Sequence, residues 1–400
     1  MRSRAEKQDM KIRKLEKQDR FDAYLISAFC FHMRVEDPEK ERERIEAEEA
    51  ENWGAFDDDG TLMARIIHHR FALHLDGKEI PAGGIGAVST LPEFRDRGAI
   101  REIFRALLPA AHQSGEVLSA LYPFKHAFYR KAGYEVVPFG NEYVFPPAVL
   151  CDYRFDGTVK KWNPGDTAED FLAVYRAFAP KFNLSMARDE KRMLEHLRVE
   201  KPLLDRKFSY LFSRDGQPFA YLIFTDRRHD PAAILQIEEC AWTCRDGFHA
   251  ILGFLARFEA DYGEIRLPLP KGIDLLRLIR SPRAYDIETH TRQGFMVRVI
   301  HAKKLLELLK KPADCDFTIR VTDEHIAENN GTFRVTQDKV MEIESERADI
   351  ELDQRALAQM AVGAVNFDEA LMRTDVAVHA KEDMLRSVFT EKNIFIGDYF

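Results

Sequence analysis

The stretch that most restricts the fold is Gly83 to Arg101, GGIGAVSTLPEFRDRGAIR. Its apolar, glycine-bearing first half reads as a β-strand. Arg95-Asp96-Arg97-Gly98-Ala99 then opens an amphipathic helix marked by Ile100, Ile103, Phe104, Leu107, Leu108 and Ala111 at i, i+3, i+4 spacing. That order brings the first helical turn, with its unsatisfied N–H groups, to the end of a strand, where an anion is favoured. Glycine lets a ligand approach the backbone closely. Arg95, Arg97 and Arg101 add positive charge and Asp96 removes some. Such a turn suits a pyrophosphate; the plain alternative is a strand-to-helix turn with surface arginines.

The surrounding pattern predicts an α+β layered domain over residues 1–148. A short strand, Met10 to Leu15, precedes a helix with Phe21, Tyr24, Leu25, Ala28 and Phe29 as its buried stripe. The mixed charge run of residues 35–51 reads as a solvated helix face with i,i+4 pairs. Arg65 to Leu75 and Ile80 to Ser89 read as strands joined at Asp76-Gly77, a hairpin pair. Glu116 to Leu121 is a strand, residues 124–132 a short helix, and Tyr134 to Val137 a strand. A weaker copy over residues 149–285 has strands Phe208–Arg214, Phe219–Thr225, Ala233–Trp242 and Glu264–Leu269, with Phe248, Ile251, Leu252, Leu255 and Phe258 as a helical stripe. Asp215-Gly216 is expected to match Asp76-Gly77, as in an internal duplication. Residues 286–400 form a third α+β domain, with strands Met296–Ile300, Phe317–Val321 and Gly331–Val335. Its helices are Ala302–Leu309 and residues 353–362, the latter with Leu357, Met360 and Ala361 inward. The apolar ending Ile396-Gly397-Asp398-Tyr399-Phe400 is expected to be tucked into the molecule.

Composition removes several function classes. The 400 residues hold no apolar run of ~18, and the basic start lacks the apolar stretch of a secretory signal, so a cytoplasmic, non-membrane protein is expected. Net charge is −8, which argues against nucleic acid as the main partner and suits a cationic substrate, although net charge reports weakly on one cleft. Five scattered cysteines do not suggest a disulfide framework, and Cys240-x-x-x-Cys244 lacks the further ligands of a zinc site. His68 and His69 alternate faces on a strand, so no metal is expected there.

About 25 residues beyond the polar turn lies Phe128-Tyr129-Arg130-Lys131-Ala132-Gly133-Tyr134-Glu135. With the Arg95-x-x-Gly98 turn, it resembles the GNAT acetyltransferase superfamily; Ile100 departs from the Gly or Ala usual there. Ser89-Thr90-Leu91-Pro92-Glu93-Phe94-Arg95 and Leu121-Tyr122-Pro123-Phe124 further resemble the enhanced intracellular survival (Eis) family. The resemblance implies tandem GNAT-like domains, the second degenerate, followed by a sterol-carrier-protein-like domain. It implies an acetyl-CoA-dependent N-acetyltransferase acting on an amine (aminoglycoside, polyamine or protein lysine) as a homo-oligomer, often a hexamer. Arg95, Asp96, Arg97, Gly98, Ala99, Ile100 and Arg101 would hold the pyrophosphate, and Val88, Ser89 and Thr90 the pantetheine arm, with an oxyanion donor near Val88. In the second unit Cys244-Arg245-Asp246-Gly247-Phe248 stands where the loop should be, without Arg-x-x-Gly.

The same resemblance makes Tyr129 the general acid and the Phe400 terminal carboxylate the base. A phenol of pKa ~10 stays protonated at neutral pH and is close enough to a thiol's ~8.5 to give up its proton as the C–S bond breaks. An α-carboxyl at ~3.3–3.7 lies about six units below a ~10.4 amine, so the base would act on the minority neutral amine or through water. The plain readings are a core tyrosine bonded to backbone and an ordinary packed terminus. Carboxylates usual on the family's first helix are absent from Phe29-Cys30-Phe31-His32-Met33, which argues against aminoglycosides and leaves Asp398 as the nearby acid. A non-catalytic acyl-CoA sensor or scaffold is the alternative function.

Overall fold

The computed structural model describes residues 10–155, 157–198, 206–227, 229, 233–279, 286–292 and 294–400. In the first part of the chain, strands β1 (Lys11–Lys14), β2 (Glu51–Phe56), β3 (Leu62–Leu75), β4 (Lys78–Thr90), β5 (Leu118–Leu121) and β6 (Glu135–Val136) alternate with helices α1 (Arg20–Cys30), α2 (Pro38–Glu46), α3 (Ala99–Gln113) and α4 (His126–Arg130). Asp76 and Gly77 both have positive φ (51° and 80°), as the two-residue hairpin between β3 and β4 requires. The charged run folds as α2, capped by the Asp37 side chain, with Arg44 paired to Glu41 and Glu48 and only Ile45 buried.

Helix α1 corrects one expectation. Phe21, Tyr24 and Ala28 pack on Ile45 of α2, while Ala23 packs with Leu15 and Phe56 and Ser27 reaches Ser89 of β4. The helix is buried on two adjoining faces, so the side left over at a 3.6-residue period carries Leu25 and Phe29, which are 41% and 59% exposed. They border an open hollow with Leu91 and Phe56 rather than the core.

Strands β7 (Gly140–Phe145), β8 (Thr158–Lys161), β9 (Lys207–Arg214), β10 (Gln217–Arg227), β11 (Ile234–Trp242), β12 (Glu264–Pro270) and β13 (Glu288–Arg292) form a second seven-stranded sheet, with helices α5 (Glu169–Phe178), α6 (Glu190–Leu197) and α7 (Arg245–Leu255). Strand β14 (Met296–Val299) then returns to the first sheet. The two orders are β1-β2-β3-β4-β5-β14-β6 and β8-β9-β10-β11-β12-β7-β13. Each sheet's sixth place is filled by a strand from the other half, antiparallel to both neighbours. The boundaries expected at 148/149 and 285/286 do not coincide with sheet membership, because β7, β13 and β14 cross them.

The equivalence of the halves also moves the second Asp-Gly turn. In each sheet one pair is parallel and is bridged by a helix: β4 and β5 by α3, β11 and β12 by α7. Counted back from there, Asp76-Gly77 joins the third and fourth strands of its half, whereas Asp215-Gly216 joins the second and third. Its counterpart is the Asp57–Thr61 turn. The two dipeptides share a turn chemistry, both left-handed, and not a place.

The third part has β15 (Asp316–Thr322), β16 (Gly331–Thr336), β17 (Val340–Ile343), β18 (Ile350–Asp353) and β19 (Val376–Val378), ordered β17-β16-β15-β18-β19, with helices α8 (Ala302–Leu308), α9 (Gln354–Val362), α10 (Phe367–Ala370) and α11 (Glu382–Val388). Its core is continuous with one face of the first sheet, joining Leu73, Ile80 and Val297 to Phe317, Ile319 and Leu357. The buried Gln354 amide stitches the two, donating to the Gly133 carbonyl at 2.6 Å and accepting from the Val299 N–H at 3.2 Å. Among the described residues no helix is long and apolar enough to cross a membrane.

Beyond α11 the chain runs back to the other two parts. The Asn183 N–H donates to the Asn393 carbonyl at 2.8 Å, and Phe395 packs on Phe178 and Phe182 of the second part. Burying one such ring contributes ~2–3 kcal/mol. The ending is tucked in only in part: Ile396 and Asp398 are buried and Phe400 half-buried, while Tyr399 is 72% exposed.

Candidate active site

Strand β4 pairs with β5 only from Ala82 to Ile85; beyond that point it keeps only β3. Its register with β3 jumps from Ile67–Gly86 to Arg65–Ser89, so Ala87 and Val88 form a bulge, with Ala87 at φ 50°. A bulge bends and twists its strand. β4 runs on past the end of β5, with its bulged segment unpaired on that side. The Ser89 hydroxyl lies 3.0 Å from that of Ser27 and 3.1 Å from the Ala87 carbonyl, and Cys30 donates to the Thr90 carbonyl at 3.4 Å. These contacts commit the Ser89 side chain to holding β4 against α1.

The polar turn follows at once. Asp96 and Gly98 are left-handed (φ 64° and 85°), Gly98 stands at the N-cap of α3, and no side chain caps that helix. Its first-turn N–H groups lack a side-chain cap, and such groups at a helix start suit phosphate oxygens. Arg95, Asp96, Arg97 and Arg101 are exposed; Arg97 lies over the Phe94 ring at 4.9 Å and Arg101 bonds Glu102 at 3.0 Å. Ala99 and Ile100 are buried. Ile100, where Gly or Ala was usual, packs into the core with Ile103 and Phe104. In the second half only Thr243 and Cys244 separate β11 from α7. There a Cβ on Gly247 would stand 2.7 Å from the Phe219 carbonyl, so this glycine lets the start of α7 pack closely on β10.

Tyr129 sits on α4, 3% exposed, among the rings of Phe124, Phe128 and Tyr134. Burial raises its pKa well above the ordinary phenol value. Its hydroxyl has no hydrogen-bond partner among the described residues, so the plain reading of a core tyrosine bonded to backbone does not hold. Tyr134 behaves as packing: it is fully buried, with its hydroxyl 2.7 Å from that of Ser119.

The glycines of β4 have a use other than the one expected. A Cβ on Gly83 would strike the buried His68–Glu116 pair, and one on Gly84 would come within 2.5 Å of the Phe400 and Phe71 rings. A Cβ on Gly86 would meet His69 Nε2 at 3.1 Å and the main-chain oxygen of Phe400 at 3.4 Å. The flat strand thus seats the last residue of the chain. The Phe400 ring lies 4.9 Å from Phe71, 5.8 Å from Tyr122, 6.1 Å from His69 and 6.4 Å from Phe295. No ring contact joins Phe400 to Tyr129. The link runs through Tyr122 and Phe124, two residues apart beyond β5, the latter 5.4 Å from Tyr129.

Two neighbours hold this ending. Tyr122 donates to the Asp398 carbonyl at 2.8 Å and stacks on Tyr399 at 4.5 Å. Asp398, expected as an acid for substrate, is instead buried and gripped by Arg188 Nε at 3.0 Å and Nη2 at 2.9 Å. The same guanidinium takes Glu239 at 2.7 and 2.8 Å and lies 4.0 Å over the Tyr175 ring. Despite burial, this pairing holds Arg188 charged and keeps the Glu239 carboxyl well below the usual range.

His69 and Arg188 were not singled out from sequence as site residues. Alternation along β3 sets His69 on the face of Phe71, opposite His68. Arg188 lies in an irregular segment and carries no sequence signal. Burial first, then nearby Arg192, His68 and Arg65, push the His69 pKa down to about 4. It is therefore neutral near neutral pH. Among the described residues no group of three or more His, Cys, Asp or Glu is placed to hold a metal.

Residues 11–137 match the acetyltransferase (GNAT) domain family and residues 302–397 the sterol carrier protein domain family. No curated protein sequence matches the chain. Solved structures of similar fold include a GCN5-related N-acetyltransferase from Anabaena variabilis (TM-score 0.84, 20% identity, 98% of this chain and 100% of that one). Eis1 from Mycobacterium abscessus (TM-score 0.82, 18% identity, the same coverage) and a conserved protein of Enterococcus faecalis (0.85, 21%, the same coverage) are also similar.

Proposed function

We propose that this chain, which carries a GNAT acetyltransferase domain ahead of a sterol-carrier-like one, transfers acetyl from acetyl-CoA directly to a primary amine within a ternary complex. The uncapped start of α3 with the Arg95–Arg101 turn fits the pyrophosphate, and the bulged end of β4 at Val88, Ser89 and Thr90 fits the pantetheine arm through its backbone. A backbone N–H near Val88 would donate to the acyl oxygen as negative charge gathers there, the term that most lowers such barriers. Tyr129 would protonate the departing thiolate. Phe400 would offer its carboxylate to the incoming ammonium among apolar rings, where attraction between charges is stronger than in water. Its proton would leave directly or through a water.

The observation that carries this reading is the Tyr129 hydroxyl. The ring is packed among aromatic side chains while its O–H bonds no protein group among the described residues, which leaves that proton free to be given to a ligand. The test follows free CoA thiol across a panel of amines, for the wild type and Tyr129→Phe. The variant is expected to lose about 10²-fold in kcat while keeping its affinity for CoA. An unchanged kcat removes Tyr129 from the mechanism. Tight CoA binding with no turnover on any amine would favour the sensor.

A further inference from the structure

A cavity of about 510 Å³ opens beside the seat of Phe400, bounded on one side by Gly397, Asp398 and Tyr399. Its other walls come from the second half of the chain: Arg192 on α6, Arg227 closing β10, and Arg292 closing β13. The half that lost its phosphate turn therefore still faces the site. Arg192 acts electrostatically on His69, and Arg292 on Tyr122, the two groups that flank Phe400.

The cavity's formal charges balance, Arg192, Lys207, Arg227 and Arg292 against Glu142, Glu195, Glu238 and Asp398, but they are unevenly paired. Lys207 is paired with Glu238 at 3.0 Å, Glu142 accepts from the Gln236 amide at 3.1 Å, and Asp398 is held by Arg188. His196 lies 3.3 Å from the buried Glu239. Arg192 and Arg292 are half-buried, and neither has a carboxylate within ion-pair distance among the described residues; Arg292 lies only over the Phe139 ring at 4.7 Å. Exposed Arg227 adds a third such cation at the rim; among the described residues, exposed Glu195 and half-buried Glu142, the latter bonded only to the Gln236 amide, also lack a cationic partner. A half-buried guanidinium lacking an acceptor is costly to keep and strong when it finds a planar oxyanion.

We propose that the acceptor is an amine that also carries an anionic group, a carboxylate or a phosphate, with Arg192 and Arg292 holding the anion while the amine reaches Phe400. This rests on the transferase reading above and narrows it. A polycation would meet two uncompensated guanidinium groups, so polyamines and aminoglycosides are disfavoured.

The test compares kcat/KM for ω-amino acids and ω-aminoalkylphosphonates with alkylamines and diamines of equal length. The wild type should prefer an anionic member, and Arg192→Gln or Arg292→Gln should lower the ratio of anionic to neutral acceptor by about tenfold or more. Arg192→Lys should retain more of the preference than Arg192→Gln. Equal use of neutral and anionic amines, a preference for diamines, or variants that depress both classes alike would overturn the proposal. Calorimetry with N-acetyl-ω-amino acids and N-acetyl-ω-aminoalkylphosphonates in the presence of CoA separates the two readings. Arginine-dependent binding without turnover on any amine would keep the anion site and remove the transferase, and absence of binding would remove the anion site.

Discussion

At the scale of single residues, the site depends on groups whose ionisation is set by their surroundings. His69 shows the sign most clearly. Its folded pKa of about 4 lies below the ordinary 6.5, so between those values the unfolded chain binds more protons than the folded one. Its contribution is complete above about pH 6.5 and is lost as pH falls toward about 4, by up to about 3 kcal/mol. Denaturant unfolding followed across that window should show stability dropping on acidification, with a shallower drop in His69→Gln. Equal slopes in the two proteins would mean that His69 is not held neutral beside Phe400. Tyr129 and Phe400 could be named from the sequence because they sit in or at the end of recognisable motifs. Arg188 could not, since nothing local marks a side chain whose partners lie 51 and 210 positions away.

Among the elements, β4 carries the most. Its pattern announced a glycine-rich strand running into a phosphate-ready turn, and the structure keeps the turn while giving the glycines another occupant. Spacing alone could not separate a strand that admits a ligand from one that admits the chain's own last residue, since both need a missing Cβ. Gly84→Ala tests the difference. Its methyl would displace Phe400, and a misplacement of about 1 Å near reacting groups costs about 10²-fold in rate. Steady-state kinetics should show that loss, with CoA affinity retained because the α3 turn lies elsewhere. Wild-type turnover in Gly84→Ala would detach Phe400 from the chemistry. Similar reasoning explains where the element reading slipped. Leu25 and Phe29 fit the period of α1, but which faces are buried depends on α2 and β4 together, and the matching of Asp-Gly turns rested on turn chemistry without strand count.

For the molecule as a whole, the two GNAT-like halves are bound by reciprocal exchange of β7 and β14, and the third part delivers the last residues into the first. Sheet exchange left no trace in the sequence because β7 and β14 look like ordinary strands in whichever sheet receives them. The path of the ending was legible only as an apolar sequence that ought to be buried. What aims it is the Arg188 grip on Asp398, two residues before Phe400. Removing one partner of such a buried pair costs ~3–5 kcal/mol, which makes that segment a fixed element of the site. The central claim is that the Phe400 carboxylate takes part in acyl transfer. It is tested most directly by appending a few residues after Phe400 and measuring amine-dependent thiol release beside CoA affinity and thermal stability. The extended protein should fold and bind CoA as before and lose turnover; full turnover in the extended protein would contradict the claim.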